Sequence, residues 1–286
     1  MKVLALSMRG PLYSSKSAPK ELLSYQVAIS PPLPLPAALL GSLIRAYARL
    51  DKGVARDKVD EAALEYLQRF RNYGVSATCK LSLDSSLIKG AVLLKRFRTL
   101  EATPPKGEEK SDAMRREYIF SNKLDAFFLF DSPPDDFEKI EQAGCLIDRL
   151  GDTESLVTVE EVVTISNLSL VNNREIEINT ITPFDILDEH PSSGMIWRGL
   201  AESVHPVEEA KPMAFVLPLE TKVSKGSEYF VGCSFRAKVK DGIKIYTFEF
   251  KGENITTAHR TVQQPIQKAK QRKKTRDARG KHKRSI

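Results

Sequence analysis

Two stretches carry residue types suited to gripping a polyanion. In "LLKRFRTLE" (93–101), Lys95 and Arg96 precede Phe97 and Arg98 follows it. In "DAMRREYIF" (112–120), Arg115 and Arg116 are followed by Tyr118 and Phe120. Arginine binds phosphate bidentately, and an aromatic ring can stack an unpaired base. Alternate residues of a strand face opposite sides, so a basic and an apolar face can share one arm. An ordinary solvated hairpin has the same composition, because basic edge strands also guard against aggregation.

The residues for bond-breaking chemistry are sparse. There is no G-x-x-x-x-G-K-[ST] phosphate loop, no H-E-x-x-H and no G-x-S-x-G. The four histidines are His190, His205, His259 and His282, so the first 189 residues have none. A metal-independent ribonuclease needs a group that exchanges protons near neutral pH, usually histidine. Tyr13 or Tyr25 with Lys16 or Lys20 is the remaining combination, and nothing in the sequence lowers their pKa values. The carboxylates of "PPDDFE" (133–138) open a helix and those of "TVEEV" (158–162) sit in a strand, which accounts for them without a metal. No catalytic residue, metal or cofactor is expected.

The elements that must position the basic arms begin with "KVLALSM" (2–8), which alternates and reads as a strand. A loop with Arg9, Lys16 and Lys20 follows, then a second extended segment at 24–29. "SPPLPLPAALLGSLIRAYARL" (30–50) puts four prolines directly before a helix. The prolines hold 31–35 extended, and Pro36 suits a first helical position. Leu39, Leu40, Leu43, Ile44, Tyr47 and Leu50 recur at helical spacing, and Arg45 and Arg49 share a face. Gly41 inside this helix implies a close backbone contact. A second helix spans about 57–73. The two basic arms, about 91–100 and 115–121, form a long hairpin whose tip is 103–112. "DAFFLF" (125–130) is a buried strand. Ser132 caps a third helix with Pro133 at its first position. A tight turn around Gly151 leads into a β-branched strand. In "RAKVKDGIKIYTFEF" (236–250), Asp241-Gly242 suits a two-residue hairpin turn. The order of elements fits an α+β ferredoxin-like or RRM-like module with a hairpin insertion and a β-rich C-terminal part.

The formal net charge of +7 over 286 residues is unevenly spread. Residues 267–286 hold ten Lys or Arg and one acid, Asp277, a segment charge of +9 that leaves −2 on the rest of the chain. Such a tail cannot bury apolar surface and reads as disordered. Polyanion binding by Lys268, Lys270, Arg272, Lys273, Lys274 and Arg276 and simple solubilisation both remain open for it. Cys79, Cys145 and Cys233 have no zinc or disulfide spacing. No apolar run approaches the roughly 18 residues of a membrane span, and the first residues are too short for a signal-peptide core. The expectation is a reduced, cytoplasmic compartment.

Taken together, the first strand with "RGPLYS" (9–14), "SYQVAISPPLPLPAALLGSLIRAYA" (24–48), "LLKRFRTLE", "DAMRREYIF" and "RLGDTESLVTVEEV" (149–162) resemble the Cas-five family of CRISPR-associated RAMP proteins. The closest version is that of archaeal type I-A interference complexes. The resemblance covers roughly residues 1–165. It implies a RAMP domain over 1–210 with a thumb hairpin at about 84–124, a β-rich subdomain over 211–265 and the tail over 266–286. It further implies a non-catalytic subunit of a type I (Cascade) complex that grips the 5′ handle of the crRNA. The partners implied are the Cas-seven backbone subunit and the Cas-eight large subunit. One other subtype of the family processes precursor crRNA with a Tyr/His/Lys-type site. A crRNA-processing endoribonuclease and a stand-alone RNA-binding protein are the alternative readings. By position, the resemblance assigns RNA-facing roles to Arg9, Gly10, Tyr13, Lys16 and Lys20 after the first strand. It adds Arg45 and Arg49 on the first helix, Lys95, Arg96, Arg98, Arg115 and Arg116 on the thumb, and Arg149 and Ser155 at the Gly151 turn. The glycine-rich loop common in RAMP proteins is not evident; "KGSEYFVG" (225–232) is a poor substitute. The tail falls outside the resemblance, with crRNA, target DNA or no specific partner open to it.

Overall fold

A computed structural model describes residues 1–9, 12–14, 27–53, 58–97, 111–151, 155–206 and 209–260. Strand β1 (Lys2–Arg9) leads to the short strands β2 (Leu12–Tyr13) and β3 (Val27–Ala28). Helices α1 (Pro36–Lys52) and α2 (Val59–Asn72) precede β4 (Val75–Leu81), β5 (Ser86–Phe97), β6 (Ser111–Ser121) and β7 (Lys123–Phe130). Helix α3 (Phe137–Cys145) and β8 (Thr158–Ile165) complete the first part. Its centre is a four-stranded sheet in the order β4-β7-β1-β8, with every neighbour antiparallel. With α1 and α2 between β1 and β4, and α3 between β7 and β8, the connectivity is β-α-β-β-α-β.

Strand β1 is buried at six consecutive positions, not at alternate ones. Leu4, Leu6 and Met8 join the core formed with α1 and α3, whereas Val3 and Ala5 pack on the opposite face with Phe127, Leu129, Phe248, Phe250 and Ile255. A sheet covered on both faces loses the polar half of its alternation. That second cover is a three-stranded sheet, β18 (Glu253–His259), β17 (Lys244–Phe250) and β9 (Ser169–Val171).

The proline seam enters the core: Leu33 and Leu35 are both buried. Pro36 occupies the first helical turn, and the Leu35 carbonyl accepts from the Ala38 and Leu39 N–H groups at 3.0 and 3.1 Å. Helix α1 ends at Gly53 in the left-handed region, φ 57°, whose N–H donates to the Arg49 carbonyl. The contact expected at Gly41 is absent, since a Cβ built there meets nothing within 4 Å. Helix α3 begins at Phe137, not at Pro133. The Pro133-Pro134 pair biases the residue before each ring away from helical geometry.

The remaining strands are β10 (Glu175–Ile178), β11 (Thr182–Pro183), β12 (Met195–Glu202), β13 (Lys211–Leu217), β14 (Leu219–Ser224), β15 (Ser227–Gly232) and β16 (Phe235–Lys238). Strands β12 and β13, on either side of residue 210, pair with each other. The hairpin expected over 236–250 does not form. Gly242 does take the left-handed turn at φ 80°, but β16 pairs with β10, and β17 pairs with β18 and β9. The two-residue turns stand at Lys225-Gly226 (φ 50° and 78°) and Lys251-Gly252 (φ 53° and 76°), joining β14 to β15 and β17 to β18. The "KGSEYFVG" segment is thus a hairpin turn and strand β15. Strands β5 and β6 pair from Leu87↔Ser121 to Phe97↔Ser111, so the first arm begins nearer the body than expected, and the second begins at Ser111, within the stretch expected to be the tip. They lie in a six-stranded sheet with the path β14-β15-β5-β6-β2, and β3 adds to β6 in parallel.

Candidate nucleic-acid interface

Four segments separated in sequence meet at Ser14. Its N–H donates to Ser155 Oγ at 2.9 Å, and the Ser155 hydroxyl donates back to the Ser14 carbonyl at 3.3 Å. Its hydroxyl pairs with Ser30 Oγ at 3.1 Å and accepts from Arg116 Nε at 3.0 Å. Ser30 in turn donates through N–H to Glu117 Oε2 and through Oγ to the Glu117 carbonyl, at 3.1 and 3.0 Å. Lys89 Nζ closes the group on Glu117 Oε2 at 2.7 Å and lies over the Trp197 ring. The segment after β1, the proline seam, the root of the β5–β6 hairpin and the Gly151 turn are therefore tied into one unit. Ser14, Ser30, Arg116 and Ser155 are all buried, so each bond is screened little by water.

Of the expected RNA-facing residues, Tyr13, Arg116 and Ser155 come together here, but from inside. Tyr13 is fully buried, its hydroxyl donates to the Pro32 carbonyl, and burial pushes its phenol well above the ordinary range. Arg116 is buried with its guanidinium over the Tyr118 ring. The Gly151 turn is closed by Leu150 N–H to the Ser155 carbonyl at 2.9 Å and Val157 N–H to the Asp148 carbonyl at 3.1 Å. Arg149 is half-buried at the base of this turn.

Arg9 is the exposed member. Its side chain is 64% exposed and meets Glu160 Oε1 at 3.2 Å, with Lys123 on the other oxygen at 3.4 Å. A guanidinium carries five donors, which leaves capacity for an incoming phosphate. Arg45 and Arg49 are not held open. Arg45 pairs with Asp60 at 2.9 Å and Asp148 at 3.2 Å, and Arg49 reaches Asp148 at 3.5 Å. Lys95, Arg96 and Arg115 lie in β5 and β6, with their side chains outside what is described. Gly10, Lys16, Lys20 and Arg98, and the tail residues Lys268, Lys270, Arg272, Lys273, Lys274 and Arg276, lie outside the described residues.

Sequence reasoning missed Ser14, Ser30, Glu117 and Trp197. Serines that bond across distant segments leave no local signal. Glu117 between a basic pair and an aromatic run was the one readable clue. Among the described residues no group of three or more His, Cys, Asp or Glu could hold a metal ion, and no helix is long and apolar enough to cross a membrane.

Among the described residues, three α-helices stand against mostly antiparallel sheets, with a bonded loop-and-hairpin frame at one site, the make-up of a mixed α+β protein. A CRISPR protein from Archaeoglobus fulgidus shares the fold, with a TM-score of 0.52 and 17% identity over 90% of this chain and 99% of that one. A chain of a CRISPR RNA-guided surveillance complex aligns with a TM-score of 0.41 and 13% identity over 82% of this chain and 91% of that one. No protein-family model matches. The CRISPR-associated protein Cas5 of Methanocaldococcus jannaschii is 33% identical over 235 residues, 81% of this chain and 90% of the relative. The chain belongs to the Cas5 family.

Proposed function

We propose that this chain is a non-catalytic crRNA-binding subunit of a type I CRISPR interference complex and holds the 5′ handle of the guide. The observation that carries the reading, beside the family, is the convergence on Ser14. It holds the segment after β1 and the hairpin root in fixed relation before any RNA arrives, which lowers the ordering cost of binding. Arg9 and the basic positions of β5 and β6 then supply phosphate contacts, and the hairpin acts as the thumb. The strand order β4-β7-β1-β8 supports a ferredoxin-like RAMP module. The Cas-seven backbone and Cas-eight large subunits are the protein partners in this reading, and type I-A the subtype. Tyr13 supports a role without cleavage, because a buried phenol with a raised pKa is a poor proton acceptor at neutral pH.

Incubating the full chain with labelled precursor RNA in EDTA tests the reading. The expected result is a retained, uncut RNA and co-purification with a Cas-seven polymer. A discrete metal-independent cut would assign the endoribonuclease alternative instead. A stable complex with unrelated RNA in the absence of other subunits would assign the stand-alone one.

A further inference from the structure

Leu12, Phe120 and Ile88 stand directly opposite one another across β2, β6 and β5. Directly opposed residues of antiparallel strands point to the same face. All three are large, apolar and open to solvent, at 46, 55 and 53% exposure, while their strand neighbours Tyr13, Ile119 and Leu87 are fully buried on the other face. The strip therefore lies on the outer face of the sheet at the hairpin root. Two residues earlier on β6, Tyr118 shares that face, roughly 6–7 Å from Phe120 along the strand. Its cross-strand partner is Gly90, where an added Cβ would meet nothing within 4 Å. The Tyr118 ring thus does not cover the glycine, which is exposed. Arg116 stacks on Tyr118 at 5.4 Å from the ring centroid.

We propose that this outer face, centred on Phe120 and continued by Tyr118, is a stacking platform for unpaired nucleobases of a single-stranded ribonucleotide. The proposal rests on the RNA-binding reading above and adds the part of the RNA that is read. Two aromatic rings at this spacing suit successive unstacked bases, since every base has a π-face. Gly90 leaves room for a base where any other side chain would stand. Charge complementarity favours RNA over an apolar protein surface. β5 carries Lys89, Lys95 and Arg96 and no acid, and β6 balances Arg115 and Arg116 against Asp112 and Glu117, so the hairpin is cationic as a whole. The basic positions of the hairpin and its aromatic strip thus belong to the same two strands.

The test uses the full chain and a short single-stranded oligoribonucleotide carrying 2-aminopurine, whose fluorescence falls on stacking, beside the same oligomer with abasic sites. Wild type is expected to bind with quenched fluorescence. Phe120→Ala and Phe120→Leu are expected to bind the base-bearing oligomer roughly 5- to 150-fold more weakly, with the quench lost. Both variants should bind the abasic oligomer as wild type does, and Phe120→Trp should restore the quench. The leucine variant keeps an apolar side chain, so it guards against a folding defect in the alanine one. If wild type binds without quenching, or if Phe120→Leu binds the base-bearing oligomer unchanged, the platform is overturned while the RNA-binding reading stands. Release of a co-purifying protein subunit by Phe120→Leu with unchanged RNA affinity would reassign the strip to protein docking. If wild type binds neither oligomer, both readings fail together.

Discussion

Arg45 of α1 and Asp148 of the loop after α3 meet at 3.2 Å, and Arg49 one turn on takes the other carboxylate oxygen at 3.5 Å. One acid thus clamps two helical arginines and anchors the start of the Gly151 turn. The Arg45 side chain is only 16% exposed and Asp148 is 31% exposed, so the pair is partly shielded from solvent. Asp148→Asn is expected to cost about 1–2 kcal/mol in denaturant unfolding. RNA affinity should stay within twofold of wild type. A large gain in affinity would mean that the freed arginines are phosphate ligands held in reserve.

Arg116 is the buried cation of the Ser14 group, bonded to Ser14 Oγ at 3.0 Å. Arg116→Ala removes a charged donor from a buried site, and should cost about 3 kcal/mol. Arg116→Lys should recover little, because an ammonium cannot reproduce the planar fork. Thermal unfolding measures both, and a lysine variant as stable as wild type would contradict this role.

Gly41 lies in the interior of α1 with no atom within 4 Å of a built Cβ. Gly41→Ala should therefore raise stability by up to about 1 kcal/mol through helix propensity and a less free unfolded chain. A lower denaturation midpoint would show that the position is more confined than the structure has it.

His205 is fully buried, and burial, helped by the nearby Arg71 guanidinium, lowers its imidazole to about 4. An unfolded-chain histidine titrates near 6.5. Between those values the unfolded chain holds the extra proton, so His205 contributes a loss of stability as pH falls from about 6.5 to about 4. Burial raises the Asp125 carboxyl, which acts in the opposite direction, but it is common to wild type and variant. Wild type should lose more stability between pH 7 and pH 4.5 than His205→Gln does. Equal losses would contradict the assignment.

Local signals were legible where a residue type dictates the backbone. Pro36 marked the start of α1, and the helical spacing of Leu39, Leu43 and Tyr47 marked its buried face. Asp241-Gly242 misled because a turn residue specifies a turn, not the partner of the strands beside it. Strand β16 turns there to one sheet and β17 to another. Lys225-Gly226 and Lys251-Gly252 went unread because lysine is an uncommon first residue of a primed turn. At the candidate site, the basic and aromatic residues were visible as types. Which of them are buried was not, because Arg116 and Tyr13 are covered by segments distant in sequence. Ser14 tied to Ser155, 141 residues away, is a product of topology alone.

The central claim is that the folded part of the chain grips a short single-stranded ribonucleotide end. Photocrosslinking of a guide RNA with 4-thiouridine in its 5′ handle, to the full chain in its assembled complex, tests it most directly. The account predicts crosslinked peptides from the segment around Arg9 to Ser14 and from strands β5 and β6. Crosslinks confined to residues 267–286, with none on the folded part, would contradict it.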